Sequence, residues 1–131
     1  MTQKYTNICI TDIKDSTILN NDLGNIGMDK IRAEFFRVSN SLAKHADKKS
    51  TGKDMGDGGL FTFEGLEQSI QFSVWLQQYY QDQQCCIKDG IEIRIALCKG
   101  TVEFIKKDPQ GKDVNLTSRI EGVTPPGEIW V

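Results

Sequence analysis

Between Tyr5 and Asp12 the chain carries Ile8, Cys9 and Ile10 and almost no charge until its last residue. That pattern predicts a short buried strand whose end, Asp12, emerges at a sheet edge. Asp15, Ser16 and Thr17 follow as helix-capping residue types. Ile31, Phe35, Val38 and Leu42 then recur at helical spacing, so an amphipathic helix is expected from about Asn25 to Ala46. Thr51 to Phe63 holds Met55-Gly56-Asp57-Gly58-Gly59 between two candidate strands, and the Asp-Gly pair puts Asp57 at a hairpin tip. Leu66, Ile70, Val74 and Gln77, flanked by Trp75 and Tyr79, predict a second helix ending near Gln84. Ile91, Ile93, Ile95 and Leu97 alternate with Glu92, Arg94 and Ala96 as a strand should. Gly100 is expected to turn that strand into a hairpin returning over Thr101 to Ile105, with Asp108-Pro109-Gln110-Gly111 as a loop. Lys112 to Glu121 suits a third helix, ended by Gly122 and Pro125-Pro126-Gly127, and Glu128 to Val131 reads as a strand. The order implies an α+β, ferredoxin-like sandwich: an antiparallel-rich sheet with helices on one face.

Composition narrows what such a fold can do. A chain of 131 residues is one domain long, without internal repeat, linker or low-complexity stretch, so residues 1–131 are read as a single domain. Sixteen Lys and Arg against eighteen Asp and Glu give a net charge of -2, which disfavours a dedicated nucleic-acid binder. No apolar run approaches the roughly 20 residues that span a bilayer, and Met1-Thr2-Gln3-Lys4-Tyr5 has no apolar signal core, so a cytoplasmic protein is expected. Cys9, Cys85, Cys86 and Cys98 lack metal-ligand spacing and are read as reduced thiols, Cys9 and Cys98 as small buried residues. His45 is the only histidine. Catalysis therefore has to rest on carboxylates, Lys, Arg and Asn. Trp75, Tyr79 and Tyr80 are read as core or dimer contacts rather than a ligand cage.

Asp12 at a strand end and Asp57 at a hairpin tip converge if their strands are neighbours, and paired carboxylates are what Mg2+ or Mn2+ prefers. Each also has a local reading, Asp12 as a capping or loop residue and Asp57 as a turn former. What joins them is a set of motifs in order. Ile10-Thr11-Asp12-Ile13-Lys14-Asp15-Ser16-Thr17, Lys53-Asp54-Met55-Gly56-Asp57-Gly58, Ile93-Arg94-Ile95-Ala96-Leu97-Cys98-Lys99-Gly100, Gly111-Lys112-Asp113-Val114-Asn115-Leu116-Thr117-Ser118-Arg119-Ile120 and Pro126-Gly127-Glu128-Ile129-Trp130-Val131 are spread along nearly the whole chain. Together they resemble the catalytic domain of class III adenylate and guanylate cyclases.

The resemblance implies that Asp12, Asp57 and the backbone carbonyl of Ile13 hold two divalent cations, Mg2+ or Mn2+. It implies that Asn115 orients the ribose and Arg119 neutralises the α-phosphate, the two sharing a helix face at i and i+4. Lys53 and Asp108 fall where the family selects its base. Lys53 only donates and an ionised Asp108 only accepts, which complements the ring nitrogen and amino group of adenine. Guanylate cyclases have Glu and typically Cys in those positions. ATP is accordingly the expected substrate and 3′,5′-cyclic AMP and pyrophosphate the products, with GTP or a pyrimidine triphosphate as alternative substrates, since cytosine also pairs an amino donor with a ring acceptor. The family divides these groups between two subunits and this chain carries both sets, so a head-to-tail homodimer is expected. A non-catalytic nucleotide-binding or regulatory module is the competing reading. Two departures bear on it. Asp15 stands where the family's first loop usually has Gly, and the family's later strands carry a phosphate-binding Lys with no match here.

Overall fold

The structure, a computed structural model, describes residues 2–14, 16–82 and 92–131. Asp15, the vicinal pair Cys85 and Cys86, Ile91 and the expected end of the second helix near Gln84 lie outside the described residues. The described elements are β1 (Thr2–Ile13), α1 (Ser16–Ala46), β2 (Thr51–Asp54), β3 (Gly58–Phe63), α2 (Leu66–Asp82), β4 (Ile93–Ile105), β5 (Asp108–Gln110), α3 (Lys112–Val123) and β6 (Ile129–Trp130). One six-stranded sheet has the order β2-β3-β1-β4-β5, with β6 parallel to β4 and every other pairing antiparallel. This is the α+β layout expected from the element order. No helix among the described residues is long and apolar enough to cross a membrane.

β1 is central because both its edges are paired, to β3 from Asn7↔Phe63 to Asp12↔Gly58 and to β4 from Thr2↔Phe104 to Ile13↔Ile93. Its side chains alternate between two apolar clusters, as the pleat requires. Cys9 and Ile13 pack with Phe61 and Phe63 of β3, Met28, Phe35 and Val38 of α1, and Phe72, Leu76 and Tyr80 of α2. Ile8 and Ile10 join Leu60, Val102 and Val114 in the second cluster. The two longer helices therefore share one face, and α3 packs on the other, so the expectation of helices on one face alone does not hold: Val114 gives α3 its own apolar contact with Ile8, Ile10 and Val102.

Several local expectations shift in the folded chain. The helical pattern expected from about Asn25 begins just after a break at Gly24, whose φ of 75° and ψ of 169° divide α1. The buried face of α2 is rotated from the Leu66, Ile70, Val74, Gln77 stripe: Leu66 and Ile70 are exposed, while Ser69, Phe72, Ser73, Leu76, Gln77 and Tyr80 are buried. The aromatic Phe72 decides this, its ring centroid lying 5.0 Å from Phe61 and 5.2 Å from Phe63, and the small Ser69 and Ser73 let the helix come close to the sheet. Trp75 and Tyr79 instead line a shallow cavity of about 450 Å³ with Leu42 and His45.

Gly100 does not turn the chain. β4 runs straight through it, because the first turn of α3 sits over its missing side chain: a Cβ on Gly100 would lie 2.6 Å from Asp113 Cβ, and Asp113 Oδ2 accepts a hydrogen bond from the Thr101 N–H at 2.8 Å. The hairpin comes at Lys106 and Lys107, with φ of 52° and 69°, between the paired Ile105 and Asp108. Neither lysine carries a turn signature, so periodicity gave no sign of it. The segment read as a loop thereby becomes β5.

Gly58 matters in a different way. A Cβ there would meet the Thr11 carbonyl oxygen at 1.8 Å and Asp12 Cα at 2.8 Å, so only glycine lets β3 approach β1 beside Asp12. Gly58→Ala is expected to destabilise the fold by about 3 kcal/mol, because a backbone oxygen cannot step aside as a side chain does. Urea titration of both proteins measures the loss.

Candidate active site

The β1–β3 ladder settles where the two candidate metal carboxylates stand. Asp12 pairs directly with Gly58, and the Ile13 N–H donates to the Asp57 carbonyl at 2.8 Å, so Asp12, Ile13 and Asp57 meet where these strands end. Asp12 is the more enclosed, its side chain 23% exposed against 45% for Asp57. Hard oxygen donors on adjoining backbone segments suit a small divalent cation. The charge that each carboxylate already attracts agrees with this, since each holds a guanidinium. Arg94 donates to Asp12 through a two-point fork, Nε to Oδ1 at 3.0 Å and Nη2 to Oδ2 at 2.7 Å. Arg32 donates through Nε to Asp57 Oδ1 at 2.6 Å.

Each arginine also touches a second acid. Arg94 Nε lies 3.3 Å from Glu121 Oε1, and Arg94 Nη1 donates to the Gly122 carbonyl at 3.4 Å. Arg32 Nη1 donates to Asp29 Oδ1 at 3.2 Å. Glu121 is buried, and its Oε1 sits at ion-pair distance from Arg94 without a hydrogen-bonding geometry. Burial first, and then neighbouring Asp12, push the Glu121 carboxyl up to about 8, against the pull of Arg94. Among the described residues no group of three or more His, Cys, Asp or Glu is arranged to hold a metal ion.

A second group forms at the sheet's two ends. Lys53 of β2 and Asp108 of β5 are joined as an ion pair, Nζ to Oδ1, at 2.5 Å. Gln110 Nε2 donates to the other carboxylate oxygen of Asp108 at 2.8 Å. Lys53 first, and then Gln110, lower the Asp108 pKa, which keeps it an acceptor. Asn115 and Arg119 lie one turn apart on the exposed side of α3, while Val114, Thr117 and Glu121 are its buried residues. Neither is a partner of Asp12. Within one chain the structure thus brings the backbone at Asp12 and Asp57 together, pairs Lys53 with Asp108, and leaves Asn115 and Arg119 facing outward.

No protein-family model matches the chain, and no curated protein matches it. Solved structures do. The guanylyl cyclase domain of the RhoGC fusion protein from the aquatic fungus Blastocladiella emersonii superposes with a TM-score of 0.82 at 20% identity, over 98% of this chain and 80% of that one. The adenylyl cyclase CyaB from P. aeruginosa gives 0.78 at 19% identity, over 98% and 78%. The adenylate/guanylate cyclase/hydrolase from Silicibacter pomeroyi gives 0.75 at 23% identity, over 98% and 75%. The chain has the fold of a class III nucleotidyl cyclase catalytic domain.

Within this cyclase fold, the residues that sequence reasoning missed are the partners of those it singled out. Arg32, Arg94, Asp29 and Glu121 hold or surround the carboxylates, and Gln110 holds Asp108. Arg94 left a usable trace, a charged residue in an apolar strand, which needed only the register Asp12↔Arg94 to be read. Arg32 and Gln110 left none. The thiol of Cys9 is fully buried and pushed up to about 12 by that burial, in keeping with an inert core residue, whereas Cys98 is half-buried.

Glu121 makes the metal-free protein pH-sensitive. Unfolded, its carboxyl ionises near its ordinary 4.5; folded, it keeps its proton to about 8. Across that window the native state holds the extra proton, so stability is full below the lower value and falls as pH rises toward the upper one. Urea midpoints in chelator at pH 5.5 and 8 are expected to drop less in Glu121→Gln than in the wild type. Equal drops would remove the assignment.

Proposed function

We propose that this chain is a metal-dependent adenylate cyclase, converting ATP to 3′,5′-cyclic AMP and pyrophosphate at a site shared by two copies. The meeting of Asp12 and Asp57 at the adjoining ends of β1 and β3 carries this reading, on a fold found in both adenylyl and guanylyl cyclases. Asp12, Asp57 and the carbonyl of Ile13 are the groups to hold the divalent cations, Mg2+ or Mn2+. When bound, such cations supply the positive charge that acidifies the ribose 3′-hydroxyl and offsets the triphosphate.

The rest falls to side chains. Lys53 donates to the adenine ring nitrogen and Asp108 accepts from the amino group, and their ion pair and the Gln110 hydrogen bond support a donor and an acceptor held side by side. Guanine would offer Asp108 a carbonyl oxygen, acceptor against acceptor, so ATP is favoured over GTP. Asn115 orients the ribose, and Arg119 neutralises charge on the α-phosphate as the 3′-oxygen attacks in line. Their outward position on α3 supports a head-to-tail homodimer, in which each faces the carboxylates of the other copy. The arginines already seated on Asp12 and Asp57 favour a second reading, a nucleotide-binding module without turnover.

Incubation with ATP, GTP, CTP and UTP in turn, with Mg2+ or Mn2+, followed by chromatography, tests the proposal. Cyclic AMP is expected from ATP as the main product; nucleotide binding with no cyclic product under any condition selects the second reading. Asp12→Ala and Asp57→Ala are each expected to lower turnover by at least about a hundredfold with the fold retained by circular dichroism. Lys53→Glu is expected to cut the ATP rate by about tenfold or more and the GTP rate less.

A further inference from the structure

Both candidate metal carboxylates are built into the same kind of triad, and the two triads are unrelated in sequence. In one, Arg94 bridges Asp12 and Glu121; in the other, Arg32 bridges Asp57 and Asp29. In each, the shorter contact is to the metal carboxylate, at 2.7 and 2.6 Å, and the longer one to the outlying acid, at 3.3 and 3.2 Å. The β1–β3 ladder brings the backbone at Asp12 and Asp57 together, and each of the two carboxylates is matched by a guanidinium of its own. A guanidinium and a divalent cation cannot use the same lone pairs. The outlying acid gives each arginine a second carboxyl group within reach of the same side chain, an exposed one in Asp29 and a buried one in Glu121.

We propose that Arg32 and Arg94 are resident counter-cations of the metal site, which hold Asp57 and Asp12 in the metal-free protein and withdraw to Asp29 and Glu121 when divalent cations bind. This rests on the reading of Asp12 and Asp57 as metal ligands. Cation affinity is then set by an exchange, and residues that never touch the metal tune it: Arg32 by competing for Asp57, Asp29 by receiving Arg32. The two triads differ in depth. Arg94 is the more enclosed and is held by the Gly122 carbonyl as well, whereas Asp29 is 73% exposed, so the Arg32 triad can be altered without disturbing the core. Opposite signs are expected for the two partners of one ion pair, which a general loss of structure does not produce.

The test is Mn2+ titration of the full chain without nucleotide, at constant ionic strength, following the electron paramagnetic resonance signal of free Mn2+. Arg32→Gln is expected to tighten Mn2+ binding about fivefold, the range set by a part-exposed ion pair, and Asp29→Asn to weaken it about twofold. Arg94→Lys keeps the charge but loses the fork, and is expected to tighten binding about threefold. Higher salt should shrink the Arg32 and Asp29 effects. Unchanged or weaker binding in Arg32→Gln, with Asp57→Asn still abolishing it, overturns the exchange and leaves the metal assignment standing. No measurable Mn2+ binding in the wild type and in Arg32→Gln alike overturns both.

Discussion

The double ladder on β1 is the constraint on which the rest depends. A strand paired on both edges has its register set twice, once by β3 and once by β4, and a slip of one residue would send every side chain to the wrong face. That register puts Cys9 and Ile13 under α1 and α2, Ile8 and Ile10 under α3, and Asp12 at the point where Gly58 and Arg94 flank it. Gly58 keeps the first of these neighbours close, since any larger residue would press on the Thr11 carbonyl. The Asp12 end of the strand is therefore as strongly determined as its buried middle.

Charge at that end is arranged in alternation. Acid and base follow one another from Asp29 through Arg32 to Asp57, and from Glu121 through Arg94 to Asp12. In the more enclosed of the two chains, one arginine serves two acids, and burial falls hardest on Glu121, which answers by keeping its proton. In the more open group, water screens the partners. The same ladder thus supports two carboxylates with different surroundings, one enclosed and met by a two-point fork, the other more open and met through Nε.

The second group depends on the edges of the sheet. Lys53 sits on β2 and Asp108 on β5, and the two meet only because the β4–β5 hairpin turns at Lys106 and Lys107 rather than at Gly100. Two consecutive non-glycine residues with positive φ are uncommon, and they stand immediately before the residue whose carboxylate takes both Lys53 and Gln110. Gly100, released from turning the chain, serves instead as the seat for the first turn of α3, and so fixes the helix that carries Asn115 and Arg119.

Local pattern was enough to mark most elements of the fold: the buried strand ending at Asp12, the hairpin with Asp57 at its tip, the helical stripe through Phe35 and Val38, and the short strand after Pro126-Gly127. These follow from side-chain period and turn chemistry, which act between residues a few positions apart. What tertiary structure alone decided involves partners far apart in the chain. Arg94 and Asp12 are separated by 82 positions and Arg32 and Asp57 by 25, the face of α2 was chosen by Phe72 against Phe61 and Phe63, and Gly100 was kept in line by Asp113. Alternation tells which side of a strand a residue occupies, but only the order and register of the strands tell what lies opposite, and electrostatic pairing acts across that gap.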